Sequence, residues 1–317
     1  EISKNLDGMY AIGVGYYFKD RLIKVSLLRD KYGQKPLFFH TCGKDLIFSS
    51  SSLLIAKNIN KVNFKKDSLS SFFTLGFTLG SIYEGINEVK RNQIIHFMKD
   101  DHSGWIVKKK EIKNKNYLHV KELSLEEIIY KSIEECIPHN NDYAISLSGG
   151  IDSTSIASII SRKNFNKPLK AYCYATSDEE INKSSNTANY LGLDHEIVKA
   201  PTCLDEIKEI YKICLKGCDV PISDSGLIPN YLLTKEISKD KIKVLLSGDG
   251  GDELFLGYNR HVLLDILFST KVRKFFLKNI VNNIPINLLS ILVKYSNYGS
   301  TNYITRVNQL KQLMKIN

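Results

Sequence analysis

The feature that most constrains the fold is a regular alternation of short apolar runs and amphipathic segments, which begins near residue 123. The apolar runs have the length of strands, and the segments between them repeat apolar residues at helical spacing. Strands that alternate with helices form a parallel sheet with helices on both faces. The runs that we predict as strands are YAISLS, LKAYCYAT, HEIVKA and IKVLLS. The sequence therefore predicts an α/β fold with a parallel sheet.

The amino-terminal part has a different pattern, because residues 9–55 contain short aromatic or branched runs separated by turn residues. These runs are MYAIGVGYYF, RLIKVSLLRD, PLFFHT and DLIFSS. Such a pattern predicts an antiparallel sheet with hairpins. We interpret the pair Arg29–Asp30 and the pair Lys35–Pro36 as turn and core elements of this sheet. Residues 66–122 are mixed and end in the lysine-rich segment KKKEIKNKN, which we interpret as a linker.

The composition is that of an ordinary folded soluble protein, with 43% hydrophobic and 25% charged residues among 317. The net charge of +10 comes mostly from scattered lysines, which favours a solvated surface over a nucleic-acid site. Because no apolar run is long enough to span a membrane and no signal peptide is recognisable, we expect a cytoplasmic protein with no membrane partner. Six cysteines lack paired metal-ligand spacing and are expected to be free thiols: Cys42, Cys136, Cys173, Cys203, Cys214 and Cys218.

The turn after YAISLS is the first candidate site. Ser148, Gly149 and Gly150 follow the strand, and Asp152 and Ser153 begin the next helix. Glycines let backbone N–H groups approach a phosphate, and the helix N-terminus adds partial positive charge. The Asp152 carboxylate would repel a bare phosphate, and a magnesium ion between them would remove that conflict. The alternative is an ordinary βα turn in which Asp152 or Ser153 caps the helix.

A second turn, after IKVLLS, repeats this design. Ser247 and Gly248 follow the strand, and Asp249, Asp252 and Glu253 place three carboxylates within five residues. Alone, this segment would be interpreted as a solvated acidic turn. Because ligands of open α/β sheets bind beyond the carboxyl ends of the strands, the two turns together predict a nucleotide with cation ligands beside it. The chain contains neither a Walker-type phosphate loop nor a dinucleotide-binding glycine motif.

These motifs resemble a known family. SLSGGIDS looks like the SGGxDS pyrophosphate loop of PP-loop ATP pyrophosphatases, and LLSGDGGDELFLGY closely resembles the second signature of the asparagine synthetase family. Between them, DVPISDSGLIPNYLL and NTANYLGLDHEIV are similar to further segments of that family. Upstream, LDGMYAIGVGYY and LLRDKYGQKPLFF look like the later strands of a class II glutamine amidotransferase (Ntn-type) domain.

The resemblance implies three regions. Residues 1–65 would be the truncated carboxyl-terminal part of a β-rich amidotransferase domain, and residues 66–122 a connecting segment. Residues 123–317 would be a Rossmann-like ATP-binding domain, incomplete at its carboxyl end. We expect a fragment without glutaminase activity, because the family's nucleophile is an N-terminal cysteine and this chain begins with Glu1. The family's downstream RxPF segment and catalytic lysine have no match after residue 262.

The implied activity is the ATP-dependent amidation of aspartate to asparagine through β-aspartyl-AMP, with ammonia from glutamine in the intact protein. The residues that match the family's ATP contacts are Ser146, Ser148, Gly149, Gly150, Asp152, Ser153, Tyr174, Ser247 and Gly248. Asp152 and Asp252 match the magnesium ligands. Asp249 matches the catalytic residue that supports the intermediate, where better-studied synthetases carry glutamate.

Other functions stay open. A related amidotransferase could act on another acceptor such as a surface sugar, because Asp249 and Leu256 (where glycine is usual) depart from the family pattern. A degenerate ATP-binding relict is a second alternative, and a basic RNA-binding protein is a third, which the second turn disfavours. His195 is interpreted as a residue that caps a strand or packs, not as a metal ligand. Homodimer formation is left open.

Overall fold

The structure is a computed structural model that describes residues 6–59, 62–78, 80–100, 104–112, 123–140, 142–162 and 170–258. Its contacts divide the chain into two units. The first unit contains Glu1–Leu123 and Asp205–Leu227, and the second contains Ser124–Leu204 and Ile228–Asn317. Our expectation about a missing lysine after residue 262 lies outside the described residues.

The described elements follow the predicted pattern of strands and helices. The strands are β1 (Ala11–Phe18), β2 (Arg21–Arg29), β3 (Phe38–Cys42), β4 (Asp45–Ser49), β5 (Asn87–Glu88), β6 (Gln93–Asp100), β7 (Gly104–Glu111), β8 (Tyr143–Ser146), β9 (Lys170–Ala175), β10 (Asp194–Lys199) and β11 (Val244–Leu246). The helices are α1 (Ser52–Asn58), α2 (Lys66–Leu75), α3 (Leu125–Cys136), α4 (Ile151–Arg162), α5 (Asp178–Leu191), α6 (Leu204–Gly217), α7 (Leu227–Lys239) and α8 (Gly251–Phe255).

The first unit contains two antiparallel sheets, whereas the runs in residues 9–55 predicted a single antiparallel sheet with hairpins. One sheet has the order β1-β2-β6-β7, and the other has the order β4-β3-β5. Val25, Leu27 and Phe97 of the larger sheet share a buried cluster with Phe39 of the smaller one. The rings of Phe39 and Phe97 meet edge to face, with centroids 5.0 Å apart. The apolar faces of the two sheets therefore pack together to form this core.

The region predicted as a connection contributes strands to the first unit. β6 and β7 both lie within 66–122, and they pair antiparallel from Gln93↔Glu111 to Asp100↔Gly104. The first four residues of KKKEIKNKN belong to β7, whose lysines are exposed. Residues 113–122 lie outside the described ranges.

A parallel sheet with the order β10-β9-β8-β11 forms the second unit, which confirms the predicted α/β fold. One face packs Ile145 and Ala171 against Ala157 of α4 and Ala188 of α5. The other face packs Ala144 and Tyr172 against Leu233 and Ile237 of α7. Helices therefore cover both faces, because successive strand residues point to opposite sides.

A serine caps the start of α3. The Ser124 hydroxyl accepts the backbone N–H of Glu127 at 3.2 Å, and the Glu127 carboxylate accepts the backbone N–H of Ser124 at 2.7 Å. This reciprocal arrangement is a capping box, which satisfies two donors at the helix start. It also lowers the pKa of Glu127, because the backbone N–H of Ser124 stabilises the charged carboxylate.

The segment after α6 belongs to the first unit although it is distant in sequence. The Asp219 carboxylate accepts the Ser51 hydroxyl and the backbone N–H of Leu53 at the start of α1. The backbone N–H of Ser223 donates to the carbonyl of Gly76, at the end of α2, over 2.9 Å. Residues 219–223 are thus fixed to the ends of two helices. Within the described ranges, no helix is long and apolar enough to cross a membrane.

Candidate functional site

The two glycine-containing turns leave the parallel sheet at the same edge. β8 and β11 are neighbours, and they pair in parallel from Tyr143↔Val244 to Ile145↔Leu246. Each strand leads into its turn at its carboxyl end. This is the edge at which ligands of open α/β sheets bind.

Hydroxyl groups shape the first turn from inside. The backbone N–H of Ser148 donates to the Ser153 hydroxyl at 3.2 Å, and the two hydroxyl oxygens lie 3.0 Å apart. The backbone N–H of Gly150 donates to the Ser148 hydroxyl, and the Ser153 hydroxyl donates to the Gly150 carbonyl. Ser153 is buried, so its hydroxyl acts as a fixed support of the turn.

Gly149 is required by both conformation and space. Its φ of +74° lies in the left-handed region that side-chain-bearing residues rarely adopt. A Cβ at this position would lie 2.9 Å from the carbonyl carbon and oxygen of Lys183 in α5. The turn therefore packs directly against the backbone of α5, and any side chain would separate them.

Asp152 brings the two turns together. A Cβ on Gly251 would lie 2.7 Å from Cγ of Asp152, and a Cβ on Gly248 would lie 2.9 Å from its Cβ. The carboxylate of Asp152 consequently fills the space that glycine side chains would need. This contact explains why the second turn contains glycine at both positions.

The second turn presents its carboxylates in different surroundings. Asp249 is exposed, and its Oδ2 accepts the Ser247 hydroxyl at 2.9 Å. Asp252 lies in the first turn of α8 and is half-buried. Leu256, which ends α8, has a φ of +60°. A leucine is strained in this conformation, and glycine is the residue that adopts it readily.

Ser146 and Tyr174 lie near the same edge, on the face that α7 covers. Ser146 pairs in register with Tyr172, so it shares a face with Tyr172 and with Tyr174 two residues on. Tyr174 packs against the buried cluster of α7. Burial raises its pKa, and the nearby charge of Glu180 adds to the shift.

The donor set fits a magnesium ion that also binds phosphate. Within the described ranges, no group of three or more His, Cys, Asp or Glu side chains converges as a complete metal site. Asp152 lies against Gly251, the residue before Asp252, so two carboxylate-bearing turns adjoin. Magnesium typically takes one or two carboxylates and completes its shell with water and substrate phosphates.

α5 also begins at this edge, although no local motif in the sequence indicates it. Thr176 donates its backbone N–H and its hydroxyl to Oε2 of Glu180, at 2.7 and 2.8 Å. These bonds lower the pKa of Glu180 and fix the start of α5. Lys183 follows one turn later, and its only sequence signal is its position after a strand at the same edge. His195 is half-buried in β10, and burial lowers its pKa, in agreement with a packing role.

Comparisons with known proteins agree with this arrangement. The asparagine synthase family model matches residues 124–290, which is just over half of the chain. The chain belongs to the asparagine synthase family. A glutamine amidotransferase domain model matches residues 1–110. The β-rich region therefore precedes the asparagine synthase region, in the predicted order.

The curated relatives of this asparagine synthase family member are longer than the chain. "Asparagine synthetase (glutamine-hydrolyzing) 1" of Bacillus subtilis is 29% identical over 273 residues, which cover 82% of this chain and 41% of the relative. "Putative asparagine synthetase (glutamine-hydrolyzing) 2" of Methanocaldococcus jannaschii is 28% identical, over 82% of this chain and 51% of the relative. The chain thus spans about half the length of these relatives or less.

The solved structures give a much weaker likeness. Glutamine-dependent NAD+ synthetase from Acinetobacter baumannii, in complex with ADP, aligns with 98% of this chain and 79% of its own. The TM-score is 0.31 and the identity 14%, values too low to support an argument.

Proposed function

We propose that the protein binds ATP at its two glycine-containing turns and, in its intact form, amidates aspartate to asparagine through β-aspartyl-AMP. Glutamine would supply the ammonia. The observation that carries this proposal is the packing of Asp152 against Gly248 and Gly251. It places a phosphate-type turn and an acidic turn side by side, at the ligand-binding edge, in a member of the asparagine synthase family.

The first turn would hold the phosphates. Gly149 and Gly150 leave the backbone accessible, the exposed Ser148 hydroxyl can donate to an anion, and the buried Ser153 hydroxyl supports the turn from inside. These groups lie at the start of α4, a helix of 12 residues whose N-terminal end favours negative charge. The same donors would stabilise the charge that develops on departing pyrophosphate.

Asp152 and Asp252 would hold magnesium together with phosphate oxygens. The metal supplies charge neutralisation at the phosphates when it is bound. The carboxylates fix where that charge lies, because both belong to turns anchored by neighbouring strands. Ser146, Tyr174, Ser247 and Gly248 would contact the adenosine part.

Asp249 would support the acyl transfer. The side-chain carboxylate of the substrate aspartate attacks the α-phosphorus, and pyrophosphate leaves with the electron pair of the broken P–O bond. Ammonia then attacks the acyl carbon, loses a proton and displaces AMP. The Ser247 hydroxyl fixes Asp249 at 2.9 Å, which leaves its second oxygen to face the reacting groups.

The same geometry supports a second candidate, an amidotransferase with a different acceptor. Asp249 is one methylene shorter than the glutamate usual at this position, and it is tied back to Ser247. An acceptor bulkier than aspartate would fit the space that results. ATP, magnesium and ammonium with a panel of carboxylates and carbonyl sugars would separate the candidates, because only the true acceptor releases AMP.

We also propose three regions. Residues 1–65 are the amidotransferase part, residues 66–122 are the connection, and residues 123–317 are the ATP-binding domain. We place the activity in the cytoplasm, where ATP, aspartate and glutamine are all present.

The decisive experiment measures exchange of labelled pyrophosphate into ATP, with magnesium and with or without aspartate. We expect aspartate-dependent exchange in the wild-type chain and its loss in the Asp152→Asn variant. Asp194→Asn is the matched control, because Asp194 is exposed at the opposite edge of the same sheet. ATP binding without exchange for any acceptor would instead support the relict.

The Asp→Asn changes also test the metal assignment. Asp152→Asn and Asp252→Asn should each weaken ATP binding about tenfold or more when magnesium is present, because each removes a carboxylate ligand. Without magnesium the affinity should change little. Equal weakening in both conditions would remove these two residues from the metal site.

A further inference from the structure

We propose that Lys183 is a phosphate-binding residue of this site, whose ammonium group contacts the pyrophosphate part of ATP. The inference rests on the proposed function, and it deepens it by adding a residue from α5. Neither glycine-containing turn includes Lys183, and the motifs that identify the turns do not predict it.

Lys183 lies beside the first glycine-containing turn. Gly149 approaches the backbone of Lys183 so closely that a Cβ on the glycine would lie 2.9 Å from the lysine carbonyl carbon. The backbone of Lys183 is therefore level with the turn that would hold the phosphates. A lysine side chain reaches about four carbon atoms beyond its Cα before the ammonium group.

The orientation of α5 also favours this role for Lys183. α5 begins at Asp178, three residues after the carboxyl end of β9, so its N-terminal end lies at the ligand-binding edge. Helical Cα–Cβ bonds tilt towards the helix N-terminus. The Cα–Cβ bond of Lys183 is therefore inclined along the helix axis towards that edge of the sheet. The exposure of Lys183 leaves the ammonium group accessible to a ligand.

Lys183 forms no ion pair within the part of the chain that the structure describes. Glu180, one turn earlier, has its carboxylate engaged by Thr176. Glu179 has the favourable i, i+4 spacing, yet it forms no ion pair with Lys183 among the described residues. The charge of Lys183 is therefore free to serve a ligand.

The two glycine-containing turns carry an excess of negative charge. The segments 147–153 and 247–253 contain four acidic residues and no lysine or arginine. A polyphosphate beside these carboxylates needs compensating positive charge, and a magnesium ion supplies only part of it. A lysine adjoining the turn provides a point charge of the kind that proteins commonly use for phosphates.

Calorimetric titration of the full chain tests the assignment with three ligands: magnesium–ATP, magnesium–pyrophosphate and AMP. Lys183→Met should weaken ATP and pyrophosphate binding about 10- to 100-fold, because a charge-assisted contact is lost. AMP binding should change less than about twofold, because AMP lacks the β- and γ-phosphates. Lys183→Arg, which keeps the charge, should retain most of the affinity.

Lys199→Met is the matched control. Lys199 is exposed at the carboxyl end of β10, on the same edge but two strands away from β8. Its replacement removes the same charge and should leave ATP affinity within about twofold. Equal weakening by both methionine variants would reduce the effect to general electrostatics and overturn the proposal.

The outcomes also separate this inference from the proposed function. If the wild-type chain binds ATP and Lys183→Met binds it equally well, Lys183 is excluded and the ATP site stands. If the wild-type chain binds neither ATP nor pyrophosphate, the proposed function fails, and the role of Lys183 fails with it. Thermal unfolding of each variant establishes that a lost affinity does not reflect a lost fold.

Discussion

Asp30 and Asp152 each lie in a glycine-containing turn near the end of a strand. Their carboxylates differ in burial and in hydrogen bonding. Asp30 is fully buried, and its carboxylate accepts the backbone N–H groups of Tyr32, Gln34 and Lys35 at 3.0–3.1 Å. Asp152 is half-buried, and among the described residues no donor is hydrogen-bonded to its carboxylate.

The neighbours of the two aspartates continue this contrast. Arg29, beside Asp30, donates to the carbonyls of Gly33, Lys35 and Val89 and to the Glu88 carboxylate. Asp152 instead faces glycines of the second turn. A polar turn whose donors and acceptors are satisfied internally has a structural role, as we predicted for Arg29–Asp30. A half-buried carboxylate that makes no hydrogen bond within the described residues is available for a ligand.

The largest expected effect is at Asp30. Asp30→Asn should lower the free energy of unfolding by about 3 kcal/mol, because an amide replaces one of the two oxygens that accept buried backbone donors. Urea unfolding measures it. Asp152→Asn should change the same quantity by less than about 0.5 kcal/mol. Similar losses in both variants would abolish the contrast between the turns.

The pH dependence should follow Asp30 in a stated direction. Burial alone would raise the pKa of Asp30, but the backbone donors of Gln34, Lys35, Tyr32 and Gly33 outweigh it and hold the pKa below its usual value. The stabilisation is therefore complete above the unfolded pKa of about 4, and it is lost as the pH falls through the lower folded pKa. In Asp30→Asn, this acid-dependent component should vanish.

Two glycine-to-alanine substitutions should separate the cost of a left-handed conformation from the cost of a close backbone contact. Gly149→Ala should cost about 2–4 kcal/mol, because it adds a left-handed alanine and a contact at 2.9 Å with the Lys183 backbone. Gly192→Ala is the matched control, because Gly192 has a φ of +66° and nothing within 4 Å of an added Cβ. It should cost about 1 kcal/mol. Equal costs in chemical unfolding would show that α5 gives way to the added methyl group.

The sequence predicted the parallel sheet well and the site contacts only in outline. Strand and helix periodicity are local properties, so β8 to β11 could be predicted directly from the sequence. The packing of Gly248 and Gly251 on Asp152 depends on β8 and β11 being neighbours, although nearly a hundred residues separate them. No local pattern determines such strand order.

The sequence also did not predict the contacts between the two sheets of the first unit. The indole N–H of Trp105 donates to the carbonyl of Lys44 at 3.0 Å, and a Cβ on Gly104 would lie 2.2 Å from the Gly43 carbonyl. The turn between β3 and β4 touches the start of β7 there. Their contact arises from the packing of two sheets, which periodicity within each strand cannot specify.

The smallest expected effect is a gain. Leu256→Gly should raise the free energy of unfolding by about 0.5–1 kcal/mol, because the left-handed conformation strains leucine and not glycine. Leu256 is 65% exposed, so little apolar burial is lost. Chemical unfolding checks the sign. A loss of stability would show that the leucine packs usefully despite its conformation.

The attachment of residues 219–223 to the ends of α1 and α2 has a consequence for how the chain can be divided. A cut near residue 123 would free these residues from Ser51 and Gly76, although they lie inside the region that matches the asparagine synthase model. The two family regions are therefore interleaved in space and consecutive only in sequence. If recombination exchanged the amidotransferase region at residue 123, the new region would also have to bind residues 219–223 of the asparagine synthase region.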